Sequence, residues 1–91
     1  MNAEQRKRLT ALIYEIDEHR AKLEELASQI EEIKDEEEEK YDNLPDSLRD
    51  SEKGDAIQDA VDALDNALTA LAEAYDSSLY ECIDYLNEIA E

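Results

Sequence analysis

With 91 residues the chain has room for one domain, and its 27 Asp and Glu against 9 Lys and Arg leave a formal net charge of -18. That charge excludes direct binding to nucleic acid or to an anionic membrane and points to basic partners. It does not imply disorder, because 42% of the residues are apolar and they recur with a helical period, whereas acidic disordered chains lack such a pattern.

The first predicted element is a helix over about residues 3–41, a stretch without Gly or Pro. Leu9, Ile16, Leu23 and Ile30 recur every seventh residue, and Leu12, His19, Leu26 and Ile33 lie three residues beyond each of them. That spacing is a coiled-coil seam. Ile13 and Ala27 widen it on one side, as expected of a helix with more than one neighbour. Arg6, Lys7 and Arg8 superficially resemble the start of an export signal, but Glu15, Asp17 and Glu18 interrupt the apolar stretch that such a signal requires next. No apolar run approaches the roughly 18 residues that span a bilayer. The expectation is a protein of a reducing cytoplasm.

A turn over about 42–51 comes next. Asn43, Pro45 and Ser47 are turn formers, and Pro45 cannot continue a straight helix because it lacks an N–H and clashes with the preceding turn. Leu44 and Leu48 imply that the turn folds back onto the helix ends.

The second helix is expected over about 52–90, with Ser51 as N-cap. Its stripe runs through Ile57, Val61, Leu64, Leu68, Leu71 and Tyr75, then steps by four to Leu79 and on to Cys82, Leu86 and Ile89. The extra step is a stutter that should locally unwind the supercoil. Ala56, Ala60, Ala63, Ala67, Ala70 and Ala74 lie beside the large residues and let another helix approach closely.

These elements predict an all-α fold, a two-helix antiparallel coiled-coil hairpin forming a single domain over 1–91, with Leu23 near Leu71 and Ile30 near Leu64. Each arm is about 55 Å long at 1.5 Å per residue. One hairpin cannot bury both a heptad seam and an alanine row, so the expectation is a homodimer forming a four-helix bundle. Repulsion between two such acidic subunits is screened beyond about 8 Å at physiological salt.

Little in the sequence suggests chemistry. Counted as a calcium loop from Asp50, the chain puts Gly54 at the fifth position and Val61 at the twelfth, where glycine at the sixth and a bidentate Glu at the twelfth are required. The acidic run Asp35 to Glu39 points in several directions around a helix. One cysteine, Cys82, and one histidine, His19, build neither a disulfide nor a zinc site, and both fall on the apolar seam as packing residues, His19 with Tyr75 as a hydrogen-bond neighbour. A thin bundle offers little dry pocket for acid–base work. The expectation is therefore a non-enzymatic protein without metal or cofactor. Tyr14, Tyr41, Tyr75, Tyr80 and Tyr85 read as amphipathic packing with the hydroxyl at the rim, or as a protein-binding surface. Arg6, Lys7 and Arg8 should fall beside Asp84, Glu88 and Glu91 and relieve their repulsion.

The candidate binding residues are the acids of the second helix. From residue 55 onward there is no Lys or Arg, while Asp55, Asp59, Asp62, Asp65, Glu73 and Asp76 lie along the helix. Asp is a weaker helix former than Glu, and its short side chain fixes the charge close to the backbone. Spread along an arm of this length, the net charge gives one negative charge per roughly 3 Å, or roughly 1.5 Å in a side-by-side dimer, against about 1.7 Å for duplex DNA. A solubilising surface would look the same in sequence. Tyr41, Asp42 and Asn43 in the turn are the second candidate.

The run Asp35-Glu-Glu-Glu-Glu-Lys-Tyr41-Asp42-Asn43-Leu44-Pro45-Asp46-Ser47-Leu48, continued by Ser51-Glu52-Lys53-Gly54 and an Ala/Leu/Asp helix, resembles a widespread group of small acidic proteins of bacteriophages, prophages and mobile elements. The resemblance covers most of the chain, and the turn is its most specific part. It implies a phage or mobile-element setting, in which small acidic proteins often inhibit host defence. The leading expectation is an inhibitor of a basic, nucleic-acid-binding host protein, such as a CRISPR effector, restriction complex or repair nuclease, acting through an acidic, DNA-mimicking face. The alternative is a structural or adaptor coiled coil that binds a protein partner through the 41–48 turn.

Overall fold

A computed structural model describes residues 1–91 and contains helices but no strand. Helix α1 spans Ala3–Asp42, α2 is a single turn over Asp46–Arg49, and α3 spans Glu52–Glu73. A π-helical segment, Ala74–Ser78, leads directly into α4, Leu79–Ala90. The chain divides into two compact units, residues 1–25 with 71–91 and residues 26–70.

Helix α1 starts on a reciprocal cap. The Gln5 amide donates to Asn2 Oδ1 at 2.8 Å, and the Asn2 amide donates back to Gln5 Oε1 at 3.2 Å. Two N–H groups that the first turn leaves unpaired are thereby satisfied. Beyond α1 the chain reverses through hydrogen bonds from Leu44 N–H to the Tyr41 carbonyl and from Leu48 N–H to the Pro45 carbonyl. Pro45 precedes α2, where its missing N–H costs nothing. Ser51 directly precedes α3, as a cap would, but its hydroxyl donates back to the Leu48 carbonyl. The reversal is tight: a Cβ on Gly54 would overlap the Arg49 carbonyl oxygen.

Within the second unit the pairing is antiparallel. Lys34 on α1 reaches Asp65 on α3 at 3.0 Å, and Glu38, Tyr41 and Asp42 share a groove with Gln58 and Val61. This register is displaced by about one turn from the pairing of Ile30 with Leu64. The reason is that α1 continues to Asp42 while residues 46–51 make the reversal, so its centre lies nearer α3 than the middle of the turn.

The buried face of α1 differs from the expected seam. Leu9, Ile16, Leu23 and Ile30 are half-buried as anticipated, but the row beside them is Ile13, Arg20, Ala27, Lys34 and Tyr41. Ala27 is the most buried apolar residue, at 5% exposure. Leu12, Leu26 and Ile33 remain exposed, as does His19, so His19 is not a core histidine. Arg20 and Lys34 lie along the seam on their apolar stems, with their charged ends reaching carboxylates.

On the second arm, Ile57, Val61, Leu64, Leu68, Leu71, Tyr75 and Leu79 are half-buried as expected. The stutter after Tyr75 takes the form of the π-helical segment, whose wider turn absorbs the extra step. The buried row then continues through Ile83, Leu86 and Ala90. Cys82 and Ile89 are exposed, which corrects their assignment to the stripe.

Candidate functional site

Ion pairing decides which carboxylates remain uncompensated. Arg20 is held by Asp17 at 2.9 Å and Glu24 at 3.2 Å, Lys22 by Glu25 at 3.3 Å, and Lys40 by Glu37 at 2.6 Å. Arg49 pairs with Asp46 at 3.3 Å. All of these are pairs three or four residues apart on one helix, the spacing that brings side chains together. Only Lys34 crosses between helices, with Asp65 at 3.0 Å and its own-helix neighbour Glu38 at 3.8 Å. Donating a hydrogen bond to Asp65 holds the Lys34 ammonium above its ordinary range, and the bonds that Arg20 donates to Asp17 and Lys40 to Glu37 do the same for those two groups.

Asp55, Asp59 and Asp62 are exposed on α3, and no Lys or Arg lies within ion-pair distance of any of them. Their spacing of four and three residues puts neighbouring Cβ atoms about 5–6 Å apart on the side of α3 turned away from its buried row. Asp65, which the sequence groups with them, faces α1 and is paired. Glu73 and Asp76 are exposed in the other unit, at and within the start of the π-helical segment. Arg20, Lys22, Lys34 and Lys40 are thus engaged by α1 acids and by Asp65, and the outer face of α3 keeps its full charge. Arg6, Lys7 and Arg8 form no ion pair with Asp84, Glu88 or Glu91, contrary to expectation, although all lie in one unit.

The turn candidates lie in the second unit. Tyr41 is half-buried, while Asp42 and Asn43 are exposed. Tyr41 and Asp42 line an open groove of about 260 Å³ with Glu38, Gln58 and Val61. Arg49 folds back over the Tyr41 ring, 5.9 Å from its centroid, and donates to the Asp42 carbonyl at 2.9 Å, which closes the end of α1. Its Nε is buried without a partner. The groove therefore combines an aromatic wall with carboxylates, a lining suited to a cationic side chain. In the first unit, Arg20 lies 4.5 Å from the Tyr80 centroid. Tyr14 and Tyr85 are each 70% exposed and are not packing residues.

The Asn2 and Gln5 cap was not anticipated from the sequence, although Asn with Gln three residues later is a recognised start signal. Gly54 was missed as well, its only signal in the sequence being its position just inside a predicted helix. No group of three or more His, Cys, Asp or Glu side chains is arranged to hold a metal ion. No helix is long and apolar enough to cross a membrane.

Fold and site together define an all-helical, strongly acidic chain with one uncompensated carboxylate face and one aromatic-walled groove. No family model, curated protein or solved structure matches it.

Proposed function

We propose that this chain is a non-enzymatic binding protein that occupies the basic groove of a nucleic-acid-binding protein, with the outer face of α3 as its contact. The observation that carries this function is the absence of any cation beside Asp55, Asp59 and Asp62, in a chain whose Arg20, Lys22, Lys34 and Lys40 are held by other acids. An unneutralised row on a rigid helix attracts Lys and Arg without first breaking internal pairs. Binding then releases counterions from both surfaces, as when a protein binds duplex DNA. The resemblance of the 35–54 segment to acidic phage and mobile-element proteins makes the target a host defence protein in the bacterial cytoplasm, for example a CRISPR effector, restriction complex or repair nuclease. The proposed active form is a homodimer, a four-helix bundle, which raises the charge per unit length toward that of DNA.

The test is competition with DNA or RNA for a purified target over a salt series. Affinity should fall steeply with salt, and Asp55→Asn, Asp59→Asn and Asp62→Asn combined should weaken it by at least tenfold while circular dichroism stays helical. Asp65 is left intact in this variant because its loss would also release Lys34. Full inhibition by the triple variant at physiological salt would refute nucleic-acid mimicry. The groove beside Tyr41 favours a second function, an adaptor that captures a basic side chain of a protein partner. In that case Tyr41→Ala with Asn43→Ala should abolish binding and the triple Asn variant should leave it intact.

A further inference from the structure

The residues displaced from the expected seam form a surface of their own. In the unit of residues 26–70, Leu26 is 38% exposed and Ile33 is 50% exposed, in the row beside the half-buried Leu23 and Ile30. On α3 the corresponding flanking row holds Lys53, Ala60 and Ala67, and the next row outward holds Ala56, Ala63 and Ala70. Ala56, Ala63, Ala67 and Ala70 are exposed. In an antiparallel helix pair these flanking rows lie side by side, opposite the side that carries the Lys34 and Asp65 pair. The strip they make contains Lys40 and Lys53, and the one carboxylate that reaches it, Glu37 at its border, is held by Lys40 at 2.6 Å.

We infer that this strip is the contact between two copies of the chain, the Leu26 and Ile33 row of one copy seating on the alanine rows of α3 in the other. Three features select a second copy over another occupant. A basic partner would be drawn to the unpaired carboxylate faces, and the strip offers it no unpaired carboxylate. Two copies of so acidic a chain approach most readily where neither presents unpaired carboxylates, and this strip, with Glu37 held by Lys40, meets that condition. A two-fold contact must also be self-complementary, and a row of large side chains beside rows of alanine is: rotation sets large on small twice. Over residues 56–70 the strip is about 22 Å long and about 20 Å wide for two helices about 10 Å apart. That is roughly 440 Å², below the roughly 800 Å² per partner of a standard stable interface, so this part of the contact alone gives a weak, concentration-dependent dimer. The contact rests on the dimer included in the proposed function and gives it a surface, one that leaves Asp55, Asp59 and Asp62 free.

The experiment is sedimentation equilibrium of the full chain at moderate salt, from about 10 µM to about 1 mM to bracket a weak dimer. The expected result is a monomer–dimer equilibrium that Leu26→Glu with Ile33→Glu weakens by at least about 100-fold, because the new charges would be buried without partners. Those side chains are exposed in the single copy, so helicity should persist. Ala63→Glu with Ala67→Glu should act in the same way from the other helix, and it decides the matter if the first variant loses helicity. Gln58→Glu, on the opposite side of the unit, should leave the dimer intact. A wild-type chain that stays monomeric throughout the range, or a helical variant of either row that still dimerises, overturns the inference. Failure here would leave the salt-dependent competition through Asp55, Asp59 and Asp62 unaffected, so the dimer contact and the acidic-face function fail separately.

Discussion

Replacing Gly54 by Ala sets two effects of known size against each other. Gly54 lies in the first turn of α3 and has no positive φ, so no backbone conformation requires glycine there, and helix propensity alone predicts a gain of about 0.8–1 kcal/mol. The space around it predicts the opposite. An added Cβ would overlap the Arg49 carbonyl oxygen and lie 2.6 Å from the Arg49 carbonyl carbon and 2.9 Å from the Leu48 carbonyl oxygen. Ordinary contact begins near 3.4 Å, and all three neighbours are backbone atoms that no side-chain rotation can move aside. The C-terminal end of α2 would have to shift away from α3. That shift strains the Ser51 N–H to Leu48 and Arg49 to Asp42 hydrogen bonds. Overpacking of this kind costs about 1–3 kcal/mol, and each weakened hydrogen bond adds about 0.5–1.5 kcal/mol. The sum outweighs the propensity gain and leaves a net loss of about 1–5 kcal/mol. For a chain of this size each kcal/mol lowers Tm by about 4–8 °C. Urea and thermal unfolding followed by circular dichroism measure it. A Gly54→Ala chain as stable as wild type, or more stable by the propensity increment, would refute the close approach of α2 to α3.

The π-helical segment can be tested through the residues on either side of the face it sets. Ile83→Ala should cost about 2–4 kcal/mol, as for a core side chain, and Ile89→Ala less than about 1 kcal/mol in the monomer, since Ile83 is 9% exposed and Ile89 is 52% exposed. Comparable losses at both positions in urea unfolding would contradict the phase of α4. Lys34 supplies a pH test: its folded pKa lies above the ordinary 10.5 because it hydrogen bonds to Asp65. Its contribution to stability is thus complete below 10.5 and declines as pH rises through the higher folded value. NMR titration of its side chain should give a midpoint above the ordinary 10.5, and Asp65→Asn should remove most of the difference.

The helical class, the break at Pro45 and the bounds of the two long arms come from local properties, namely apolar residues at a seven-residue spacing and a proline that cannot continue a helix. The exposure of Asp55, Asp59 and Asp62 was equally legible, because no Lys or Arg occurs after residue 53. The pairing of Asp65 was not, since Lys34 is 31 residues away in sequence and the register alone brings the two together. Nor could the pattern decide which row beside Leu9, Ile16, Leu23 and Ile30 is covered. The row of Leu12, Leu26 and Ile33 is the more apolar, yet the tertiary structure covers the row of Ile13, Arg20, Ala27, Lys34 and Tyr41. The small Ala27 side chain lets the backbones approach, while Arg20 and Lys34 bury apolar stems and still deliver their charges to carboxylates. A single partner helix covers only one side of a seam, and that choice left the larger side chains exposed. Beyond Tyr75 the same limit applied: the step of four signalled an irregularity, but only packing determined that a π-helical turn would bring Ile83 and Ala90 inward and leave Cys82 and Ile89 in solvent.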